Sequence, residues 1–219
     1  MKEIFPGVFK DGNRVYTVNL TPGKKVYGEK LIDEKQGAKQ LREWDPRRSK
    51  LGAAIVNGLK EMPIKPGSVV LYLGASTGTT ISHVSDIIGK DGFAYGIEFA
   101  ERVLRNLVEL ANQRKNIAAM MADARKPEVY KWIEECDVVF CDIADPQETD
   151  MAIRNSTEFL KKGGCLMIAI KSQSIDVTKR PQQIYEQEKN RLERAGFEIV
   201  QMIDLEPHEE KHCMIVARK

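Results

Sequence analysis

Residues 69–80 read Val69-Val70-Leu71-Tyr72-Leu73-Gly74-Ala75-Ser76-Thr77-Gly78-Thr79-Thr80. A short apolar strand runs into a turn of small residues, and helical spacing follows at Ile81, Val84 and Ile88. Glycines let a backbone pass close to a ligand, and the first N–H groups of the new helix point at it. Glu98 ends the next apolar run, roughly the 20 residues downstream at which nucleotide-binding units place an acid for ribose hydroxyls. Phe99 offers a ring for a base, and Asp123, after the third apolar run, can accept from an adenine amine. Acids at successive strand ends suit an open α/β sheet, which binds ligands at that edge. The chemistry indicated is the binding of a nucleoside cofactor.

Gly74-x-Ser76-x-Gly78 admits other readings. It can be a plain strand-to-helix turn. It also matches a hydrolase nucleophile elbow, and Ser76…Asp142…His212 follows the chain order of that triad. Against this, no HGGG-type oxyanion segment is present. Between nucleoside cofactors, NAD calls for glycine where Ser76 stands, because its pyrophosphate needs close backbone approach. S-adenosylmethionine (AdoMet) has no phosphate and tolerates the hydroxyls of Ser76, Thr77, Thr79 and Thr80.

The elements that must position these groups divide in two. In residues 1–43, Ile4–Phe9, Arg14–Leu20 and Lys25–Ile32 are β-type runs parted by Asp11-Gly12 and Thr21-Pro22-Gly23-Lys24. They predict a small antiparallel β-meander, too short to stand alone. From residue 44 onward strands and helices alternate. Asp45-Pro46 opens a helix carrying Leu51, Ala54, Ile55 and Leu59 on one face. Strands are predicted at Val69–Leu73, Phe93–Glu98, Ile117–Met121, Asp137–Cys141 and Cys165–Ile170. Helices are predicted at Ala100–Gln113, Pro127–Ile133, Gln147–Leu160 and Pro181–Ala195. The turn between Phe197–Leu205 and His212–Ala217 is too short for a parallel crossover, so that pair must be an antiparallel hairpin.

Bulk properties narrow the class. The 219 residues allow one sizeable core or a core with an appendage. Lys and Arg total 34 against 32 Asp and Glu, a net charge of +2, too balanced to grip nucleic acid by overall field. An RNA substrate would therefore need help from a partner. No apolar run approaches the ~18 residues of a membrane span, and the N-terminus lacks a signal-peptide layout; a cytoplasmic protein is expected. Cys136, Cys141, Cys165 and Cys213 form no C-x-x-C pair and read as small buried hydrophobes, with no metal site. His83 reads as an ordinary surface or packing residue. Arg42, Arg47, Arg48 and Lys50, and Lys161-Lys162, Lys171 and Lys179-Arg180, form basic clusters. Those near the catalytic edge can meet phosphates.

Four further segments decide among these readings. Tyr72-Leu73-Gly74-Ala75-Ser76-Thr77-Gly78-Thr79-Thr80, Gly96-Ile97-Glu98-Phe99, Cys141-Asp142-Ile143-Ala144-Asp145-Pro146 and Ala169-Ile170-Lys171 together resemble fibrillarin of the archaeal type. The likeness extends over essentially the whole chain, including Trp44-Asp45-Pro46-Arg47-Arg48-Ser49-Lys50-Leu51, and the Gly/Arg-rich leader of eukaryotic members is absent. The resemblance implies an α/β, Rossmann-like class I AdoMet methyltransferase domain over 44–219, mostly parallel with the C-terminal antiparallel hairpin, behind the 1–43 meander. It implies an AdoMet-dependent RNA 2′-O-methyltransferase of box C/D guide ribonucleoproteins, modifying ribosomal and transfer RNA. The rivals are a methyltransferase for a small molecule or protein side chain, and a non-catalytic particle scaffold.

Matched motif to motif, the resemblance implies a catalytic set of Lys50, Asp142, Lys171 and His212, with His208 a near alternative to His212. It places AdoMet against Gly74, Ala75, Ser76, Thr79, Thr80, Glu98, Phe99, Asp123, Ala124, Asp142 and Asp145, the last standing where eukaryotic members have Gln. A ribose hydroxyl is a poor nucleophile until its proton is withdrawn, and the methyl arrives already activated, so alignment is most of the task. Lys171, ending a buried strand, is the candidate proton acceptor. Lys50 can steady oxyanion charge or hold a phosphate, and Asp142 can fix the lysine and touch the methionine amine. The implied partners are the guide RNA and its target, a Nop-domain scaffold and a kink-turn-binding protein of ribosomal type.

Overall fold

The computed structural model describes residues 1–33 and 39–219. The first sheet holds β1 (Lys2–Phe5), β2 (Val8–Asp11), β3 (Arg14–Val18), β4 (Leu31–Asp33) and β5 (Gln40–Trp44), in the order β1-β2-β3-β5-β4, antiparallel throughout. Its detail differs from the sequence reading in three ways. Pro6-Gly7, with Gly7 at φ +78°, splits the first predicted run into two strands. Most of Lys25–Ile32 is a loop wrapped on Glu29, whose carboxylate accepts the Val26 and Tyr27 amides. Gln40–Trp44 is a strand that carries the sheet past residue 43. The part of the 1–43 unit at residues 34–38 lies outside the described residues.

Asp45 caps only a 3-10 turn, Pro46–Arg48, by accepting the Arg47 amide. Extended Ser49 then breaks the path, and its hydroxyl caps a new helix, α1 (Lys50–Val56). Lys50 therefore sits in a helix first turn fixed by two caps in succession. The alternating series follows: β6 (Val69–Leu73), α2 (Thr79–Ile88), β7 (Phe93–Glu98), α3 (Glu101–Gln113), β8 (Ile117–Met121), β9 (Cys136–Cys141), α4 (Glu148–Phe159), β10 (Leu160–Lys171), α5 (Ser172–Ile175), α6 (Pro181–Arg194), β11 (Glu198–Asp204) and β12 (His212–Arg218). Pro127–Tyr130 makes one more 3-10 turn where a short helix was predicted. Leu160, predicted helical, is already extended and pairs with Cys136; a bulge before Cys165 absorbs the Lys162-Gly163-Gly164 turn.

The seven strands lie in the order β11-β12-β10-β9-β6-β7-β8. β10, β9, β6, β7 and β8 are parallel, and β12 inserts antiparallel between β10 and β11. The strand order reverses at β6, so the loop after β6 opens at the topological switch point where such sheets take ligands. β12 brings residues from the chain's end to this same edge, with His212 paired across from Lys171.

Both faces of the large sheet are covered by apolar clusters. One cluster runs from Val8, Val15 and Trp44 of the small sheet through Ile81, Val84 and Ile87 of α2. Beside it lies a buried charged group: Arg42 pairs with Glu29 and Asp86, each at 2.9 Å, and Arg114 pairs with Asp86 at 2.6 Å. His83, fully buried, is bonded at Nδ1 to Thr17 and at Nε2 to Tyr27, and stacks 4.5 Å from Trp44. Burial, with Arg42 and Arg114 adding, holds its ring well below the ordinary histidine range, so it packs as a neutral side chain. Arg42 is therefore structural and leaves the surface basic cluster in which the sequence put it. All four cysteines are free and buried.

Candidate functional site

Two clefts open at the carboxyl edge of the large sheet. The first, about 260 Å³, is lined by Gly74, Ser76, Ile97, Glu98, Phe99, Ala122, Asp123, Ala124, Arg125, Asp142, Ile143, Ala144, Asp145 and Met151. The β6 turn shapes its floor: Gly74 and Ala75 donate to the Ile97 carbonyl, and Asp142 donates to that of Leu73. Ser76 takes a left-handed φ of +50°, which turns its amide onto Glu98 Oε2 at 2.8 Å. Ala100 N–H bonds Glu98 Oε1 at 2.8 Å, so the carboxylate is held at both oxygens with lone pairs still free. Asp123 accepts from the Arg125 amide and guanidinium. Burial works to raise its carboxyl, but these bonds outweigh it and hold Asp123 below the usual range. Asp145 accepts the Gln147 amide at 2.8 Å. Phe99 is exposed on the rim.

Four carboxylates and one arginine line this cleft. Such a wall repels a pyrophosphate and welcomes a cation. That balance disfavours NAD and suits a nucleoside whose far end is positively charged.

The second cleft, about 290 Å³, is lined by Lys50, Gly74, Ser76, Asp142, Ile143, Ala144, Ala169, Lys171, Glu209 and His212. The two clefts share Gly74, Ser76, Asp142, Ile143 and Ala144, so this turn and the end of β9 form their common wall. Lys50 Nζ lies 2.8 Å from Asp142 Oδ1. Burial works to lower the Lys50 amine, but Asp142 outweighs it and Glu209 and Glu148 add; the group is held above the ordinary lysine range and remains a cation. His212 Nδ1 lies 2.7 Å from the Glu210 carbonyl, an acceptor only, so Nδ1 carries the proton and Nε2 is left with its lone pair. Burial, aided by Lys50 and Lys171, holds this imidazole below the ordinary histidine value, against the pull of the Glu210 bond and Asp142. It is neutral at neutral pH.

Every residue of the set Lys50, Asp142, Lys171 and His212 thus reaches one cleft, from α1, the end of β9, the end of β10 and the start of β12. His208 instead lines a neighbouring hollow with Tyr27 and Arg48. Of the eleven residues assigned to the cofactor, Gly74, Ser76, Glu98, Phe99, Asp123, Ala124, Asp142 and Asp145 line the first cleft. Three do not. Ala75 is buried, Thr79 lines a separate hollow with Lys25 and Arg48, and buried Thr80 donates to the Ser49 hydroxyl at 2.9 Å, bracing the Lys50 turn. The carboxylate fixes Lys50 rather than Lys171. The hydrolase triad is not wired: Asp142 is engaged by Lys50, and His212 Nδ1 bonds a backbone carbonyl instead of a carboxylate. Of the basic clusters, Lys161 pairs with Asp137 and lines a hollow away from both clefts, and Lys179 pairs with Asp176.

Sequence reasoning missed Glu148 and Glu209. Glu148, in the first turn of α4, is fully buried; Oε1 accepts the Lys171 amide at 3.1 Å and Oε2 has no partner. An acid in a helix first turn normally reads as an exposed dipole partner, so the sequence carried no warning. Burial above all, with Asp142 and Glu188 adding, pushes its carboxyl up to about 9. It is therefore protonated at neutral pH.

The folded chain keeps this proton where the unfolded chain loses it at ordinary glutamate pH. The raised value contributes stability that is complete below the unfolded pKa of 4.5 and is lost as pH rises towards about 9. The slope is ~1.4 kcal/mol per pH unit at most. Glu148→Gln preserves the acceptor for Lys171 and has no proton to lose. Its melting temperature is expected to match the wild type in weak acid and exceed it increasingly from pH 6 to 9. Parallel melting curves across that range would refute the assignment.

The family model described as Fibrillarin matches residues 1–219. The chain is 50% identical over 224 residues to the fibrillarin-like rRNA/tRNA 2′-O-methyltransferase of Thermococcus onnurineus, covering 100% of this chain and 98% of that protein. It superposes on the Methanococcus jannaschii fibrillarin pre-rRNA processing protein with a TM-score of 0.94 at 48% identity, covering 99% and 96% of the two chains. Aeropyrum pernix fibrillarin, solved with natively bound AdoMet, gives a TM-score of 0.86 at 44% identity over 93% and 88%. A fibrillarin in complex with Nop5p gives 0.87 at 35% identity, over 99% of both chains.

Proposed function

The chain belongs to the fibrillarin family, and on that footing we propose that it is an AdoMet-dependent RNA 2′-O-methyltransferase acting on ribosomal and transfer RNA. The observation that carries the reading is the shared wall. An acid-lined cleft fit for a cationic nucleoside abuts a cleft that gathers two amines, two carboxylates and a neutral imidazole, and Gly74, Ser76, Asp142, Ile143 and Ala144 form the wall they share. When bound, AdoMet supplies an activated methyl group. The acid rim suits it: Glu98 receives ribose hydroxyls, Asp123 the adenine amine, and Asp142 and Asp145 the positive methionine end.

The chain's own residues then do the following. Lys50, kept cationic by Asp142, steadies negative charge on the ribose oxygen. Lys171 takes the hydroxyl proton. His212, neutral with Nε2 free, closes the cleft and accepts a hydrogen bond from substrate or from either amine. No reader of base edges is evident in the site, so sequence choice is delegated. A box C/D guide RNA pairs with the target, and the enzyme meets the duplex by shape and backbone. A related fibrillarin is solved in complex with Nop5p, and we assign a Nop-domain scaffold as partner here, beside a kink-turn-binding protein. Among the described residues no helix is long and apolar enough to cross a membrane; ribosomal and transfer RNA substrates favour work in the cytoplasm.

The test combines calorimetry with AdoMet and a methyl-transfer assay on guide-matched RNA in the assembled particle. Binding is expected for the chain alone, and transfer only with scaffold, kink-turn protein and guide. A 2′-deoxy substitution at the target nucleotide should abolish labelling. Label persisting on the deoxy target would move the activity to a base or another acceptor, and absent AdoMet binding would end the reading altogether.

A further inference from the structure

The acceptor cleft contains two lysines, but only one has its own carboxylate. Lys50 is bonded to Asp142 at 2.8 Å, whereas among the described residues Lys171 Nζ forms no ion pair. Yet a second acid lines the cleft. This acid, Glu209, lies on the loop between β11 and β12, and its carboxylate acts on Lys50 first, then on Asp142 and Lys171, with no ion pair to either lysine among the described residues.

That loop is not a loose flap. Glu209 N–H bonds the Leu205 carbonyl at 3.1 Å. Asn57 Nδ2 holds the carbonyls of Asp204 and Glu206, each at 2.8 Å. Ser172, the residue after Lys171, binds the Lys211 carbonyl through both its amide and its hydroxyl, at 3.2 and 3.0 Å. The segment carrying Glu209 is thus tied directly to the segment carrying Lys171.

We propose that Glu209 is a positioning residue for Lys171, the counterpart of Asp142 for Lys50, so that the cleft works as two amine–carboxylate pairs set around the ribose oxygen. The proposal deepens the methyltransferase reading and rests on it. In the step itself the ribose hydroxyl proton passes to Lys171 Nζ, the oxygen forms a bond to the methyl carbon, and the carbon–sulfur electron pair returns to sulfur. An ammonium thereby appears on Lys171. A fixed anion beside it orients the amine beforehand and stabilises the charge that develops, the logic by which a buried acid serves a histidine base in acyl transfer. Burial first, and then Asp142, raise the Glu209 carboxyl above the ordinary glutamate value, while Lys50 and Lys171 work the other way.

The experiment compares wild type, Glu209→Gln and Glu209→Asp in the assembled particle with saturating guide-matched RNA. Misplacing a reacting group by about an ångström costs up to ~100-fold. Glu209→Gln is therefore expected to lower kcat about 10- to 100-fold, with the KM for RNA and the AdoMet affinity of the chain unchanged, and Glu209→Asp to restore part of the rate. Melting curves of the AdoMet-bound variants check that the loop is intact. A wild-type kcat in Glu209→Gln would overturn the proposal, as would a loss confined to KM, or equal loss in the aspartate variant. Each of these leaves wild-type methylation standing, whereas an inactive wild-type particle would remove the underlying reading instead.

Discussion

Lys171→Ala is expected to lower methyl transfer in the assembled particle about 10²- to 10³-fold, within the range set by removal of a general base or charge stabiliser, while AdoMet affinity stays within a few-fold. The separation follows from the walls of the two clefts. Lys171 lines the acceptor cleft and is absent from the cofactor cleft. Its backbone is held from both sides, paired to His212 across β12 and bonded to Glu148 beneath, so removal of the side chain leaves β10 in place. Asp142 belongs to both clefts, and Asp142→Ala should by contrast lose cofactor affinity and turnover together. The measurement is single-turnover methylation alongside calorimetry with AdoMet. Retained activity in Lys171→Ala would remove this amine from the mechanism. Loss of AdoMet binding in the same variant would mean that the shared wall is not the boundary between donor and acceptor.

How far such a site can be read from sequence depends on which forces fix each part. β6 and β7 were legible to the residue, because their apolar runs are bounded by Pro66-Gly67, by the glycine turn and by Asp91-Gly92. Such boundaries are local chemistry. Glu98 and Asp123 were legible for the same reason, as acids at the ends of short parallel strands. The small sheet was less so. Its loop at Glu29 is organised by a carboxylate that reaches Arg42 inside the protein, and nothing local distinguishes it from a β-type run. Leu160 continued a helical pattern until tertiary pairing with Cys136 pulled it into a strand.

The site shows the same division. The four proposed catalytic residues come from segments as far apart as α1 and β12, and motif matching alone proposed them together. Thr79 and Thr80 begin α2 just after the glycine turn, where Thr79 lines a neighbouring hollow and the Thr80 hydroxyl is engaged by Ser49, placements that a list of hydroxyls cannot show. Glu148 was invisible because its significance is burial, and Glu209 because a loop residue gains its place in the cleft only through tertiary packing. An acid in a helix turn or a polar loop looks solvated until the packing around it is known.

Both clefts depend on the turn that follows β6. Gly74 has φ +79°, in the left-handed region, and a Cβ built there would lie 2.3 Å from the Asp142 carbonyl oxygen, 2.9 Å from its carbon and 3.0 Å from Ile143 Cγ1. The obstructing atoms are backbone, so no rotamer change relieves the contact. The ends of β6 and β9 must separate, and with them the wall shared by the two clefts. Gly74→Ala is expected to weaken AdoMet binding by more than about 100-fold and to destabilise the fold by at least ~2 kcal/mol, the sum of left-handed strain and overpacking. Gly163→Ala is the control: it has a similar φ of +77° but nothing within 4 Å of the added methyl, and lies far from the site in the β10 bulge. It should show only the conformational strain, ~1–2 kcal/mol, with AdoMet affinity intact. If Gly74→Ala bound AdoMet as tightly as Gly163→Ala does, the close approach of β6 to Asp142 would have no part in forming the cofactor cleft, and the shared wall would fall with it.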